Sequence, residues 1–128
     1  MELTFLGGAQ EVGRSAIVVN DSLLLEYGML AGTPPKFPVA DSDPDAVVVS
    51  HGHLDHAGAI PALLSGDSRP SIHWTPPTRE LAVTLAEDTL KLHGNTLQCP
   101  FTETDVRRIR GVSEAHSYRE PFTAAGHE

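Results

Sequence analysis

The sequence predicts an α/β (α+β) fold in which helices pack on a sheet, and three observations point to this class. Short apolar runs rich in Val, Ile and Leu fill the first half of the chain and are typical of strands. Two amphipathic stretches in the second half have the period of helices. Several strands come first, and a strand, a helix, another strand, two helices and short strands follow them. This order favours helices packed in a layer on a sheet. The 128 residues suffice for one small domain with its own core.

The strands are predicted from apolar runs that end at turn residues. Asn20-Asp21 separates two of these runs by two residues, which is typical of a tight hairpin. The run at 46–49 is apolar throughout, as expected of a strand buried on both faces. The segment 28–45 is rich in Gly, Pro and Asp and predicts a loop. The predicted strands cover residues 2–6, 15–20, 22–27, 46–49 and 71–74, with two more on either side of Glu120-Pro121.

Three helices are predicted from the positions of apolar residues, caps and glycines. In the middle helix, Leu81, Leu85 and Leu92 share one face, which we expect to pack on the sheet. The last helix has Thr102 as its N-terminal cap and should end at Gly111. The predicted helices cover residues 59–64, 78–94 and 102–111.

The composition is globular but acidic, with 17 Asp and Glu against 9 Lys and Arg and a net charge of −8. This acidity is typical of salt-adapted, halophile-like proteins, and an ordinary acidic protein is the alternative. The sequence has no apolar run long enough to cross a membrane and no signal-peptide pattern at its start. Its single cysteine, Cys99, suits a reducing compartment. We therefore expect a cytoplasmic protein that has no membrane partner.

The stretch "VVVSHGHLDHAGAIPALL" (47–64) places three imidazoles and a carboxylate between a predicted strand and a predicted helix. Neutral imidazole nitrogens and carboxylate oxygens are typical ligands of zinc and related ions. Four such groups exceed what one tetrahedral ion with an open position requires. We therefore place His51 and His53 on one ion, and Asp55 and His56 on a second. Two ions about 3.5–4 Å apart can clamp the oxygens of a phosphoryl or acyl centre.

The surroundings of this cluster support a metal site. Gly52 and Gly58 permit tight turns, and the carboxyl end of a buried strand is where α/β sheets bind ligands. A single loop histidine is usually an ordinary surface residue, but three with an aspartate in six positions are a metal signature. The other histidines of the chain lack partners at ligand spacing. We expect His73, His93 and His116 to be surface or packing residues.

"SHGHLDHAGAIPALL" resembles the signature of the metallo-β-lactamase superfamily. Three further segments resemble its β-CASP ribonuclease group, notably the nuclease subunit of the cleavage and polyadenylation specificity factor and its archaeal relatives. They are "FLGGAQEVGRS" (5–15), "TPPTRELAVTLAEDTLKL" (75–92) and "PFTAAGH" (121–127). The resemblance implies the αβ/βα sandwich of that superfamily. Residues 1–128 would form approximately its N-terminal half, without the β-CASP insert.

The resemblance also implies roles for particular residues. The implied zinc ligands are His51, His53 and His127 on a first ion, and Asp55 and His56 on a second. Asp55 would also be catalytic, because it would orient the attacking water. Glu26 stands where the family usually has Asp and, with Gly8 and Gly52, would line the pocket. The family's bridging aspartate and last histidine have no counterpart here, so we expect one or two zinc ions rather than two complete sites.

The implied function is zinc-dependent hydrolysis of RNA phosphodiesters in RNA processing, with exonuclease or endonuclease action left open. Because two family ligands are missing, we expect the 128-residue chain to be catalytically incomplete. One alternative is a small-molecule ester or thioester hydrolase of the same superfamily. Another is a non-catalytic zinc-binding half completed by a second copy, as a homodimer, or by a complementing chain. Half of a sandwich would leave an apolar sheet face uncovered, so we expect marginal stability or self-association.

Overall fold

The computed structural model of the chain describes residues 1–39, 43–94, 96 and 99–128, so residues 40–42 of the predicted loop lie outside it. Within these ranges the chain forms one mixed six-stranded sheet with helices packed on it. The strands are β1 (Leu3–Gly7), β2 (Ala16–Val19), β3 (Leu23–Leu25), β4 (Ala46–Val48), β5 (Ser71–Trp74) and β6 (Ser113–Ala115). The helices are α1 (Leu54–Ala57), a 3-10 helix (Ile60–Leu64), α2 (Pro76–His93) and α3 (Glu103–Val112). The predicted α/β class is confirmed.

The six strands lie side by side in chain order. β1, β2 and β3 are antiparallel neighbours, whereas β3 to β6 run parallel. The hairpin between β2 and β3 is confirmed, because Asn20 (φ 51°) and Asp21 (φ 60°) are both left-handed, as a two-residue hairpin turn requires. The Ser22 N–H closes the turn on the Val19 carbonyl at 3.2 Å. Because β3 and β4 are parallel, their carboxyl ends reach the same edge of the sheet.

One face of the sheet forms the main core with the helices. Its central residues are neighbours in register from β2 to β5 and are at most 4% exposed: Val18, Leu24, Val47 and Ile72. The helices contribute Ala57, Ile60, Leu64, Ala82, Ala86, Val106 and Ile109. Burying one aliphatic side chain of this kind stabilises the fold by about 1.5–3 kcal/mol. The predicted burial of the run at 46–49 is confirmed except at Val48, which is half-buried.

α2 begins at Pro76, two residues earlier than predicted, because the Thr75 hydroxyl accepts a hydrogen bond from the Thr78 N–H at 3.4 Å. The predicted apolar face of this helix is wrong. Leu81 and Leu92 are 42% and 69% exposed. The buried residues of α2 are Thr78, Ala82, Ala86 and Thr89. Small side chains on this face let the helix lie close to the sheet, which leaves Leu81 and Leu92 on its outer side.

α3 starts where predicted, after Thr102, whose backbone N–H donates to Asp105 Oδ2 at 2.9 Å. Its predicted end at Gly111 is one residue early, because the helix continues to Val112 and passes directly into β6. A glycine marks a helix end when it adopts the left-handed conformation, and Gly111 remains helical.

An exposed ion pair links the two long helices. The Arg110 guanidinium donates to both carboxylate oxygens of Glu80, at 3.0 and 2.9 Å. These bonds, with a third from Arg79, lower the pKa of Glu80 to about 2. The link therefore persists far into the acidic range. No helix in the described ranges combines the length and apolarity needed to cross a bilayer.

The C-terminal part contains one strand rather than the two predicted. β6 pairs with β5, but no strand follows Pro121 in the described residues. The chain instead makes a tight turn in which Ala124 and His127 exchange backbone hydrogen bonds of 2.8 and 2.9 Å. Ala125 (φ 50°) and Gly126 (φ 81°) are both left-handed. Two consecutive left-handed residues reverse the chain, so this segment cannot continue as a strand.

The opposite face of the sheet, called the open face below, is partly covered. It consists of Leu3, Phe5, Ile17, Val19, Leu23, Leu25, Ala46 and Val48, which are neighbours in register. Phe122 and Ala124 pack on one part of this face. Leu3 and Phe5, on β1, remain 50% and 55% exposed. Contiguous exposed apolar surface of this kind marks an interaction site or an aggregation hazard.

We expect the 128-residue chain to self-associate through the open face, as sedimentation equilibrium would measure. A double variant, Leu3→Lys with Phe5→Lys, should weaken association by about tenfold or more, because it removes apolar contact and adds charge. Val12→Lys is the matched control, since Val12 is 83% exposed in the turn before β2. A wild-type chain that stays monomeric at high concentration and melts sharply without metal would contradict this expectation.

Candidate metal centre

Four of the five predicted metal ligands lie at one edge of the sheet, where the parallel strands β3 and β4 end, together with the predicted pocket residue Glu26. Glu26 directly follows β3, and the histidine cluster follows β4. The Glu26 N–H donates to the Val48 carbonyl at 3.0 Å and holds the two strand ends side by side. The structure therefore brings Glu26 beside the histidines, at the kind of edge where α/β sheets bind ligands.

Three imidazole rings converge at this edge. The ring centroid of His51 lies 4.9 Å from that of His53 and 4.0 Å from that of His56. Two sets of side chains offer donor atoms that all lie within 4.8 Å of one another. These sets are Glu26, His51 and His56, and His51, His53 and Asp55. His53 is exposed and the other four residues are half-buried, so a metal ion and solvent can both reach the donors.

The donors form one continuous group rather than two separate pairs. His51 belongs to both sets, and Asp55 Oδ2 lies 3.5 Å from His56 Nε2. The Asp55 carboxylate therefore lies close to His51 and His53 in one set and to His56 outside it. Imidazole and carboxylate donors at these separations fit a transition-metal ion, zinc in particular. The assignment of each donor to a first or second ion stays a prediction.

Glu26 makes two hydrogen bonds that organise the cluster. Its Oε1 accepts from the Ser50 backbone N–H at 2.8 Å, and its Oε2 lies 3.0 Å from His56 Nδ1. Because an ionised carboxylate can only accept, this contact assigns the His56 proton to Nδ1 and leaves the Nε2 lone pair free. A carboxylate on the outer nitrogen is the usual support of a metal-ligating histidine. This geometry supports the predicted pocket role of Glu26.

Ser50 is a residue that sequence reasoning missed. Its Oγ lies 2.8 Å from His51 Nδ1, so His51 can donate there and keep Nε2 free for a metal ion. Ser50 thus contacts His51 through its side chain and Glu26 through its backbone. The available signal was its position, directly between the apolar strand and the first histidine.

The histidine loop is joined to the chain after β3 by backbone hydrogen bonds. Three such bonds, of 2.8–2.9 Å, join Tyr27 to His56, Met29 to Leu54 and Ala59 to Tyr27. Gly28 lies at the closest approach, where a Cβ would be 1.8 Å from the Asp55 carbonyl oxygen. Glu26 is left-handed (φ 64°), a strained conformation that is common at functional sites. Apart from being a glycine, residue 28 carries no sequence signal that could have predicted its close approach to Asp55.

The two predicted pocket glycines have different surroundings. Gly52 is buried against α2, where a Cβ would lie 2.9 Å from the Leu81 Cβ. Gly8 is left-handed (φ 82°), and a Cβ there would lie 3.1 Å from the Ser15 Cα. The Ser15 N–H in turn donates to the Asp55 carbonyl at 3.1 Å. Gly52 therefore allows the histidine loop to pack closely on α2. Gly8 has no such direct contact: it packs against Ser15, which is hydrogen-bonded to the backbone of Asp55.

His127 lies in the C-terminal turn and belongs to neither donor set of the described residues. The turn is fixed on the open face by Ala124, which is 3% exposed. The structure therefore does not bring His127 together with His51 and His53. Its role as a ligand of the first ion stays a prediction.

Comparison with known proteins identifies relatives of this chain. Residues 14–94, which include the whole histidine cluster, match the model of the metallo-beta-lactamase superfamily. RNase aCSPSF2 of Saccharolobus solfataricus is 38% identical over 126 residues. Transcription termination factor FttA of Lokiarchaeum sp. is 34% identical over 120 residues. The probable RNase MJ4 of Methanocaldococcus jannaschii is 33% identical over 114 residues.

The coverage of the two partners in each comparison is unequal. The three alignments include 92%, 84% and 84% of this chain. They include 25%, 19% and 27% of the respective relatives. The chain thus spans about a fifth to a quarter of the curated relatives it matches.

Replacing Gly28 by alanine should lower the free energy of unfolding by about 3 kcal/mol or more, because the backbone must move to accept the methyl group. Urea unfolding of the metal-free protein would measure this loss. Gly66→Ala is the matched control, since a Cβ there meets no described atom within 4 Å. It should change stability by less than about 0.5 kcal/mol. Equal stabilities of the two variants would contradict the close approach at Gly28.

Proposed function

Since this chain belongs to the metallo-beta-lactamase superfamily, we propose that it carries the metal-binding part of a zinc-dependent hydrolase that cleaves RNA phosphodiester bonds. One observation carries the proposal. Imidazole and carboxylate donors from two chain segments converge within 4.8 Å at the carboxyl ends of parallel strands. A cluster supported by hydrogen bonds to the outer nitrogens of His51 and His56 is prepared to bind metal.

The proposed zinc ligands are His51, His53 and His127 for the first ion, and Asp55 and His56 for the second. The donor set favours zinc because neutral imidazole predominates in it. When bound, the ions would supply Lewis acidity to the phosphoryl oxygens and lower the pKa of a water molecule. The family's remaining ligands would come from polypeptide outside these 128 residues, from a second copy or from a complementing chain.

The side chains of the cluster have separate tasks in this proposal. His51, His53 and His56 bind the ions. The side chain of Asp55 is 41% exposed, so its carboxylate can accept a hydrogen bond from the attacking water and orient it toward phosphorus. Glu26 keeps the proton of His56 on Nδ1 and so keeps Nε2 directed at the ion.

RNA is the proposed substrate because two of the relatives are named as RNases and a third as a transcription termination factor. The net charge of −8 repels a polyanion, so cations held at the centre would have to attract the phosphate locally. We also place the protein in the cytoplasm. The single Cys99, which suits a reducing compartment, supports that location.

The first test is the zinc content of the purified chain, measured by elemental analysis after dialysis. We expect one to two ions per chain, with His53→Ala and His51→Ala each losing at least one ion. His93→Ala is the matched control and should retain the wild-type content. A chain without bound zinc would overturn the proposed metal centre.

The second test is cleavage of end-labelled single-stranded RNA by the zinc-loaded protein, measured once a second copy or a complementing chain supplies the family's remaining ligands. Activity should fall by at least about a hundredfold in Asp55→Asn, because this change removes the group that orients water. Hydrolysis of a thioester or lactam without RNA cleavage would overturn RNA as substrate and favour another branch of the superfamily.

Glu26→Ala should lower zinc affinity by about 10–100-fold, because it removes the support of His56. Isothermal titration with zinc would measure the change. Glu26→Asp should lie between the wild type and Glu26→Ala, since the shorter side chain cannot reach both Ser50 and His56. The exposed Glu87 gives the control, Glu87→Ala. Unchanged affinity in Glu26→Ala would show that His56 needs no support.

A further inference from the structure

A second pair of histidines lies on the open-face side of the sheet, apart from the metal centre. His73, on β5, is 2% exposed, and its Nδ1 lies 2.8 Å from Nε2 of His116, which follows β6. The two rings are parallel within 4°. Phe122 stacks on both, with centroids 4.0 Å from His116 and 5.2 Å from His73. The sequence pattern predicted packing or surface roles for these histidines but not their pairing.

The other neighbours of His73 are few and identifiable. On its own strand, Ser71 Oγ lies 3.0 Å from Nε2. From β6, Glu114 Oε2 lies 3.7 Å from the same nitrogen. On the β4 side the register partner is the apolar Val48. The charged and titratable groups that face His73 among the described residues are therefore Glu114 and His116.

A contact between two imidazole nitrogens at 2.8 Å requires one shared proton. When either ring is neutral at that position, the other can donate to it, and the pair holds. When both rings are protonated, two N–H groups face each other and two positive charges adjoin. Glu114, on the far side of His73, can offset one of these charges but cannot restore the missing acceptor. The pair can therefore carry one additional proton but not two.

The pair holds a particular part of the chain in place. His116 begins the C-terminal segment, and its backbone N–H donates to the Trp74 carbonyl at 2.8 Å. Phe122 stacks on the two imidazoles, and Ala124 packs on the open face two residues later. We propose that His73 and His116 form a proton-sensitive anchor that fixes segment 116–127 on the sheet and releases it when both rings are charged. If the proposed function holds, the anchor also sets the position of His127, the proposed ligand of the first zinc ion.

The direction of the pH effect follows from the burial of His73. Burial lowers the pKa of His73 below its ordinary 6.5, Glu114 opposes this shift, and His116 adds to it. The released segment therefore takes up protons more readily than the anchored one. Anchoring is complete above the ordinary pKa of histidine and is lost as pH falls through the lowered pKa of His73.

Amide hydrogen exchange of the metal-free full chain, followed by NMR between pH 7.5 and 5, tests the anchor. The probes are the amides of His116, Ala124 and His127, which are hydrogen-bonded within or next to the segment. Between the ordinary pKa of histidine and the lowered pKa of His73, segment opening should increase up to about tenfold for each unit by which the pH falls, beyond the intrinsic pH dependence of exchange. The imidazole nitrogen signals of His73 should change over the same pH range.

Three variants separate the anchor from ordinary packing. His116→Gln keeps a neutral donor to His73 but cannot be charged, so the pH dependence of opening should weaken to the part that the burial of His73 causes by itself. Phe122→Leu should raise opening at every pH without moving the midpoint. His93→Gln, near the end of α2, is the control and should behave as wild type. Equal pH dependence in His116→Gln and wild type, or opening that does not respond to pH, would overturn the anchor.

The zinc content of His127→Ala distinguishes this proposal from the proposed function. Exchange is measured without metal, so a pH-dependent segment establishes the anchor even if the chain binds no zinc. Wild-type zinc content in His127→Ala would remove His127 from the metal centre and leave the anchor standing. Zinc binding with a pH-independent segment would overturn the anchor and leave the metal centre standing.

Discussion

The metal centre depends on the close approach between the chain that leaves β3 and the short helix α1. Backbone hydrogen bonds between these two segments fix the height and orientation of the histidine loop at the sheet edge. Side chains from both segments then meet: a carboxylate follows one strand, and the imidazoles follow the other. The left-handed Glu26 aims its carboxylate back across the gap, where it reaches Ser50 and His56. The hydrogen bonds of the Glu26 carboxylate to Ser50 and His56 offset the cost of the left-handed backbone at this residue.

The parts of the structure that depend on local sequence could be predicted. The left-handed pair Asn20-Asp21 and the apolar run at 46–49 each specify one local conformation. The histidine cluster is equally local, because its donors lie within six residues after a strand. Spacing alone could therefore locate the candidate site. The resemblance to a known family then implied the roles of metal ligand and catalytic residue for members of this cluster.

The parts that depend on distant contacts could not be predicted in the same way. The buried face of α2 is set by how near the helix lies to the sheet, and the sequence pattern favoured Leu81 over Ala82 on hydrophobicity alone. Ser50 and Gly28 acquire their roles only when two strand ends lie side by side. The pairing of His73 with His116 joins residues 43 positions apart in the chain. Hydrophobic period and residue type carry no information about such distances.

The glycine at position 28 has a consequence for how this protein can change over time. A steric conflict between two side chains can be relieved by a smaller residue at the partner position. Here the opposing atom is the carbonyl oxygen of Asp55, and every amino acid carries that atom. No second-site substitution at position 55 could therefore act as a suppressor of a larger residue at 28. Position 28 is therefore restricted to glycine for as long as the two backbones approach this closely.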